Sequence, residues 1–302
     1  MACLPSLTNS VDWLMTNRGG LAQVTGRFLV PSQFNDKSEM IYSSQIVQFK
    51  ASFNNITVNG YIYYPLKWSR NDNSQCVLYH NPNGLIISNY VTPLGKLLHT
   101  PRNIELLRRC PIIFYDYRGT GINKNNTNKR DQDSCLLSNL SFRPTYESIV
   151  IDGLTILTKI INDFEYVESW GSSLGGGVAV ASLDRYLNKF PNDLNRISLV
   201  NHDSFSKTTR VICPYWTLIP DTLGWLIGGQ LDAETPTKNL IIKNVKIKIL
   251  SHAKDHVIPT GAHLFESLGD LLKRDNVNFF LSPLEGHADI TQDMFTYMKN
   301  LK

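Results

Sequence analysis

Two adjacent serines stand in a glycine-rich turn, Gly171-Ser172-Ser173-Leu174-Gly175, directly after the strand-like run YVESW. Such a turn can cradle a phosphate, permit a tight helix–sheet contact or expose a nucleophile. A serine hydroxyl attacks poorly at neutral pH unless a positioned imidazole takes its proton. That imidazole in turn needs a carboxylate to hold its tautomer and stabilise its charged form. Both groups follow in the chain: Asp255 after KIKILSHAK, and His287, 32 residues further on, after VNFFLSPLEG. One more apolar run, VLYHN, ends in Pro82-Asn83-Gly84. Phosphate chemistry has less support. No Walker motif is present, and Gly119-Thr120-Gly121 lacks the third glycine and acidic partner of a dinucleotide fingerprint.

The runs that carry these groups alternate between two periodicities. SQIVQFKASFNNITVNGYIYYPL reads as two strands around Asn54-Asn55, a hairpin. QCVLYHN, CPIIFYDYRGTG, NRISLVNHD and NVKIKILSHAKD are short apolar runs ending in polar residues, as buried parallel strands do. Between them NIELLRR, YESIVIDGLTILTKIINDF, LGGGVAVASLDRYLNKF, HLFESLGDLLKR and the closing ITQDMFTYMKNLK read as helices. The fold class is therefore α/β, a mostly parallel sheet covered on both faces, with functional groups expected beyond the carboxyl ends of the strands. Residues 1–45, with a short helix near Val11–Met15, are expected to be an extension packed on a domain spanning 46–302. The segment 205–244 is rich in Trp, Leu, Ile, Pro and Gly. It is expected to form a small cap over the cleft, the alternative being a longer crossover.

Taken together these motifs resemble the α/β-hydrolases, over roughly Ser52 to the C-terminus. Gly171-x-Ser173-x-Gly175 resembles the nucleophile elbow, YDYRGTG the DYRGxG loop of small esterase and thioesterase-like members, KDHVIP the segment with the acid, and LEGH the loop with the histidine. The resemblance implies Ser173 as nucleophile, Asp255 as acid and His287 as base, with no cofactor or metal. Ser172 is then a polar wall residue. Asp203, after RISLVNH, is the competing acid, because some α/β-hydrolases place it on that earlier strand. His256 is set aside because neighbours in extended backbone point apart. Of the remaining histidines only His80 is expected near the cleft. The resemblance also implies an oxyanion hole with the Leu174 amide as one donor. The other is expected from Asn81 or Asn83, through backbone or side chain, since Pro82 has no N–H. Arg118, Asp116 and Tyr117 are expected to brace the fold beneath the nucleophile.

The implied activity is hydrolysis of an ester or thioester, in a small molecule, lipid or acylated protein, through an acyl-enzyme intermediate. A hydrolase-fold protein that binds a partner without turnover is the rival, and the intact Ser…Asp…His order argues against it. Composition excludes several other classes. The 302 residues carry 30 basic and 26 acidic side chains, net +4, without a dense Lys/Arg block, so no nucleic-acid partner is expected. Cys3, Cys76, Cys110, Cys135 and Cys213 form no CxxC pair, so neither a disulfide framework nor a zinc site is expected. No run of about 18 apolar residues is present, so no transmembrane helix is expected, with peripheral membrane contact left open. The first residues lack the pattern of a signal peptide, which points to the cytoplasm. A resemblance to asparagine- and lysine-rich hydrolase-like bacterial effectors implies delivery to a host cell as the alternative.

Overall fold

The structure, a computed structural model, describes residues 45–123, 146–212 and 231–301, apart from 67, 70, 71 and 93. Residues 1–44, with the expected helix near Val11–Met15, and residues 213–230 of the expected cap lie outside the described residues. β1 (Ile46–Phe53) and β2 (Ile56–Tyr63) pair antiparallel from Ile46↔Tyr63 to Phe53↔Ile56. Asn54 and Asn55 join them with φ of 49° and 66°. Two left-handed residues are what a type I′ turn demands, and asparagine tolerates that region better than most.

β3 (Gln75–His80), β4 (Ile112–Tyr115), β5 (Tyr166–Ser172), β6 (Ile197–His202), β7 (Lys246–Lys254) and β8 (Val277–Glu285) complete a sheet of order β1-β2-β4-β3-β5-β6-β7-β8. From β4 to β8 every pairing is parallel, while β2 meets β4 antiparallel. The chain leaves β3 for one side of the sheet and returns from β4 to the other side, so β3 and β5 flank the topological switch point where α/β sheets open a crevice.

The described helices are, in order, α1 (Ile87–Tyr90), α2 (His99–Arg108), α3 (Tyr146–Asp163), α4 (Leu174–Lys189), α5 (Thr208–Ile212), α6 (Glu234–Ile242), α7 (Leu264–Leu268) and α8 (Gln292–Asn300). Alternate strand residues face two cores. Cys76 and Leu78 pack with α3, α4 and α6, whereas Val77 and Tyr79 pack with α2 and α8. Burial on both faces is why these strands read as unbroken apolar runs. Cys76 and Cys110 are buried free thiols, and burial, above all, pushes the Cys110 thiol up to about 12. Among the described residues no helix is long and apolar enough to cross a membrane.

One element differs from expectation. HLFESLGDLLKR is not one helix: Gly269, at φ 52°, ends α7, and a 3-10 turn Gly269–Lys273 follows. Glycine takes that positive φ, with ψ −125°, without the penalty a Cβ would bring. The end of the 205–244 segment is α6, with Leu240 and Ile241 buried in the core shared with α4.

Candidate active site

β5 ends at Ser172, and the chain turns at once into α4. Ser173 sits in the turn at φ 53°, ψ −120°, a region that costs a non-glycine residue energy. Its N–H donates to the His202 carbonyl at 2.9 Å, tying the turn to β6. Both flanking glycines are demanded by close approach. A Cβ on Gly171 would lie 2.1 Å from the Gly175 carbonyl oxygen, and one on Gly175 would lie 2.1 Å from the His80 carbonyl oxygen at the end of β3. Backbone on both sides leaves no side chain to move aside. Gly175→Ala is accordingly expected to destabilise by about 1–3 kcal/mol, the usual range for overpacking, readable as a lower thermal midpoint.

Asp255 follows β7 and His287 follows β8, and the sheet brings both over the elbow. His287 Nδ1 lies 2.7 Å from Asp255 Oδ2, and His287 Nε2 lies 2.9 Å from Ser173 Oγ. The other oxygen of Asp255 accepts the N–H groups of Val257 at 2.7 Å and Ile258 at 3.0 Å, which fixes the carboxylate. With Nδ1–H donating to Asp255, Nε2 carries the lone pair and accepts the serine proton. The Asp255 side chain is fully buried and that of His287 is 12% exposed, so the imidazole alone of the pair reaches solvent. Ser173 opens into a cavity of about 530 Å³ whose apolar wall includes Leu85, Leu174, Phe205, Val211, Val257 and Ile258. Pro82, Asn83, Thr208 and His256 line it too.

No family model matches the chain, and no curated protein matches it. Solved structures do match. An esterase of Pyrococcus furiosus superimposes with a TM-score of 0.50 at 13% identity, over 84% of this chain and 87% of that one. An acylaminoacyl peptidase of Pyrococcus horikoshii gives a TM-score of 0.52 at 12% identity, over 84% of this chain and 39% of that one. Dipeptidyl peptidase 4 of Porphyromonas gingivalis gives 0.52 at 11% identity, over 84% and 35%. The chain spans less than half the length of either peptidase. Its fold is that of the α/β-hydrolases.

Within that α/β-hydrolase fold, several other residues singled out from sequence are placed as follows. The Leu174 amide lies in the first turn of α4, where N–H groups have no acceptor within the helix. Asn83 lines the cavity. Asn81 is corrected as a side-chain donor: its side-chain amide N–H groups are committed to the Tyr115 carbonyl at 2.8 Å and Asp116 at 3.3 Å, and its backbone carbonyl accepts the Tyr117 hydroxyl at 2.9 Å. Asp116 also accepts the amides of Ile87 at 2.9 Å and Ile122 at 3.0 Å. The YDYRGTG run therefore braces the 81–87 loop from below. Burial lifts the Asp116 pKa to about 6 against the pull of those donors. His80 is a second correction. It is fully buried, between Tyr115 at 2.7 Å and Ser169 at 3.0 Å, away from the cleft, and burial lowers its pKa to about 3.

Ser172 is buried under the site rather than in its wall, with Oγ 3.3 Å from His202 Nδ1. Asp203, the competing acid, makes no hydrogen bond to His287. Its Oδ2 instead accepts His252 Nδ1–H at 2.7 Å and lies 3.2 Å from His202 Nε2. Burial favours its neutral form, but the two imidazoles outweigh burial and hold the carboxyl below its ordinary range. Three donor atoms of His202, Asp203 and His252 lie within 4.8 Å of one another, as do those of Asp203, Asp255 and His287. In both groups the carboxylates are already paired with imidazole nitrogens, which accounts for the closeness without an ion. This polar layer was not legible from sequence beyond the position of Asp203 at a strand end.

Proposed function

We propose that the chain is a serine hydrolase that cleaves an ester or thioester through an acyl-enzyme intermediate. The observation that carries this reading is the hydrogen-bonded chain from Ser173 through His287 to Asp255 at the floor of the cavity. As Oγ attacks the substrate carbonyl, His287 Nε2 takes its proton, and the Asp255 carboxylate stabilises the imidazolium. Negative charge grows on the carbonyl oxygen, facing the Leu174 amide at the positive end of α4. Asn83 supplies the second donor. Loss of one such donor costs about 2.7–4 kcal/mol in the transition state. His287 then protonates the leaving alcohol or thiol, and a water deprotonated by the same imidazole releases the acid.

The aliphatic and aromatic wall supports an acyl chain as the group bound, and a cavity of about 530 Å³ is of ordinary size for a small-molecule site. The substrate class is a small-molecule ester or thioester, a lipid, or an acylated protein, with no cofactor taking part. The test is covalent labelling with a fluorophosphonate probe. Wild type and Ser172→Ala are expected to label and Ser173→Ala is not, because the Ser172 hydroxyl is out of reach of the cavity. A folded wild type that neither labels nor hydrolyses p-nitrophenyl esters would favour a non-catalytic binding module of the same fold.

A further inference from the structure

We propose that Asp203 and Thr100 are positioning residues for His287, clamping the next residue, Ala288, from both sides so that the imidazole stays over Ser173. The inference rests on the hydrolase reading above. Ala288 is a non-glycine residue at φ 60°, a conformation that costs roughly 1–2 kcal/mol and persists only where its surroundings enforce it. Two hydrogen bonds enforce it here. The Ala288 N–H donates to Asp203 Oδ2 at 2.7 Å, and the Ala288 carbonyl accepts the Thr100 hydroxyl at 2.7 Å. One clamp comes from the end of β6 and the other from α2, so the His287 loop is gripped from separate elements.

Asp203 holds the preceding side of the loop as well. Its Oδ1 accepts the His252 backbone N–H at 2.9 Å, and its Oδ2 accepts the ring Nδ1–H at 2.7 Å. The ring so anchored packs against Gly286: a Cβ there would lie 2.8 Å from His252 Nε2. The residues on both sides of His287 are thus seated on groups that converge at one carboxylate. Asp203, His202 and His252 are all fully buried, which makes the charge-assisted bonds to Asp203 strong and geometrically demanding. The Asp203 backbone is left-handed too, at φ 44°, so the aspartate is held in an uncommon conformation where it serves the loop.

The test compares Asp203→Asn and Thr100→Val with wild type on a p-nitrophenyl ester. Asp203→Asn places an amide N–H against donors, and Thr100→Val removes only the hydroxyl. A small displacement of a reacting group costs about 100-fold, so kcat is expected to fall about 100-fold in Asp203→Asn and about 10-fold in Thr100→Val. KM is expected to stay within about twofold in both, because neither residue lines the cavity. Unchanged kcat in folded variants overturns the proposal, as does a loss of activity that only follows the folded fraction in a thermal melt. If Asp203→Asn does not fold, Thr100→Val decides by the same two criteria. A folded wild type that takes no fluorophosphonate label overturns the hydrolase reading itself, and this inference with it.

Discussion

Replacing His287 by alanine is expected to lower kcat on a short p-nitrophenyl ester by about 10⁴- to 10⁶-fold, with the far-UV spectrum and thermal midpoint close to wild type. Ser173→Ala is expected to do the same, and the double variant no worse than either single one, because groups that act as a unit do not contribute additively. The magnitude follows from geometry. His287 Nε2 is within 2.9 Å of the hydroxyl it would deprotonate, and among the histidines of the described residues it alone bonds Ser173. His256 lines the same cavity, but its ring centre is 6.3 Å from that of His287, and it lacks the carboxylate that fixes a tautomer. Single-turnover release of p-nitrophenol measures the effect. A loss of less than about 100-fold in His287→Ala would remove it from the role of base.

Asp152→Ala is expected to produce the largest loss of stability, about 3–5 kcal/mol, the range for breaking a buried ion pair from one side. Asp152, on α3, is fully buried and Arg118 nearly so. The carboxylate pairs with the Arg118 side chain and accepts its backbone N–H at 2.8 Å. Removing it takes the carboxylate partner from a guanidinium buried in the core, and the Arg118 backbone N–H loses its acceptor. For a chain of this size the expected fall in thermal midpoint is about 10 °C. Replacing both partners, as Arg118→Met with Asp152→Leu, is expected to recover part of that loss, since no unpaired charge then remains buried. Urea titration of the three proteins tests this. Equal stability of Asp152→Ala and wild type would show that the pair carries no net stabilisation. The pair also bears on the site, because the neighbouring Tyr117 and Asp116 hold Asn81 and the 81–87 loop.

Much of this arrangement is written in local pattern. Unbroken apolar runs separated by helical spacing specify a parallel sheet buried on both faces, and the two asparagines at 54 and 55 specify the hairpin. The frame Gly171-x-Ser173-x-Gly175 is legible because only glycine tolerates the backbone contacts that Gly171 and Gly175 make. Asp255 and His287 could be named because each follows a strand, and strand ends gather on one edge of such a sheet. Other assignments depended on which strands become neighbours. With β3 between β4 and β5, Asn81 is drawn down onto Tyr115 and Asp116, leaving Asn83 at the cavity, while His80 is sealed beneath. Asp203 and Asp255 are both carboxylates after strands, and the KDHVIP pattern already favours Asp255 in the sequence. The tertiary structure adds the Val257 and Ile258 amides, which aim Asp255 at His287, and His252, which turns Asp203 toward the Ala288 amide. Sequence periodicity determined the elements and the order of the reactive groups, because dihedral preference and amphipathic spacing act over a few neighbouring residues. The pairing of donor with acceptor was decided by the tertiary structure, because hydrogen bonds of 2.7–2.9 Å between residues as many as 188 positions apart depend on where the whole sheet places its strand ends.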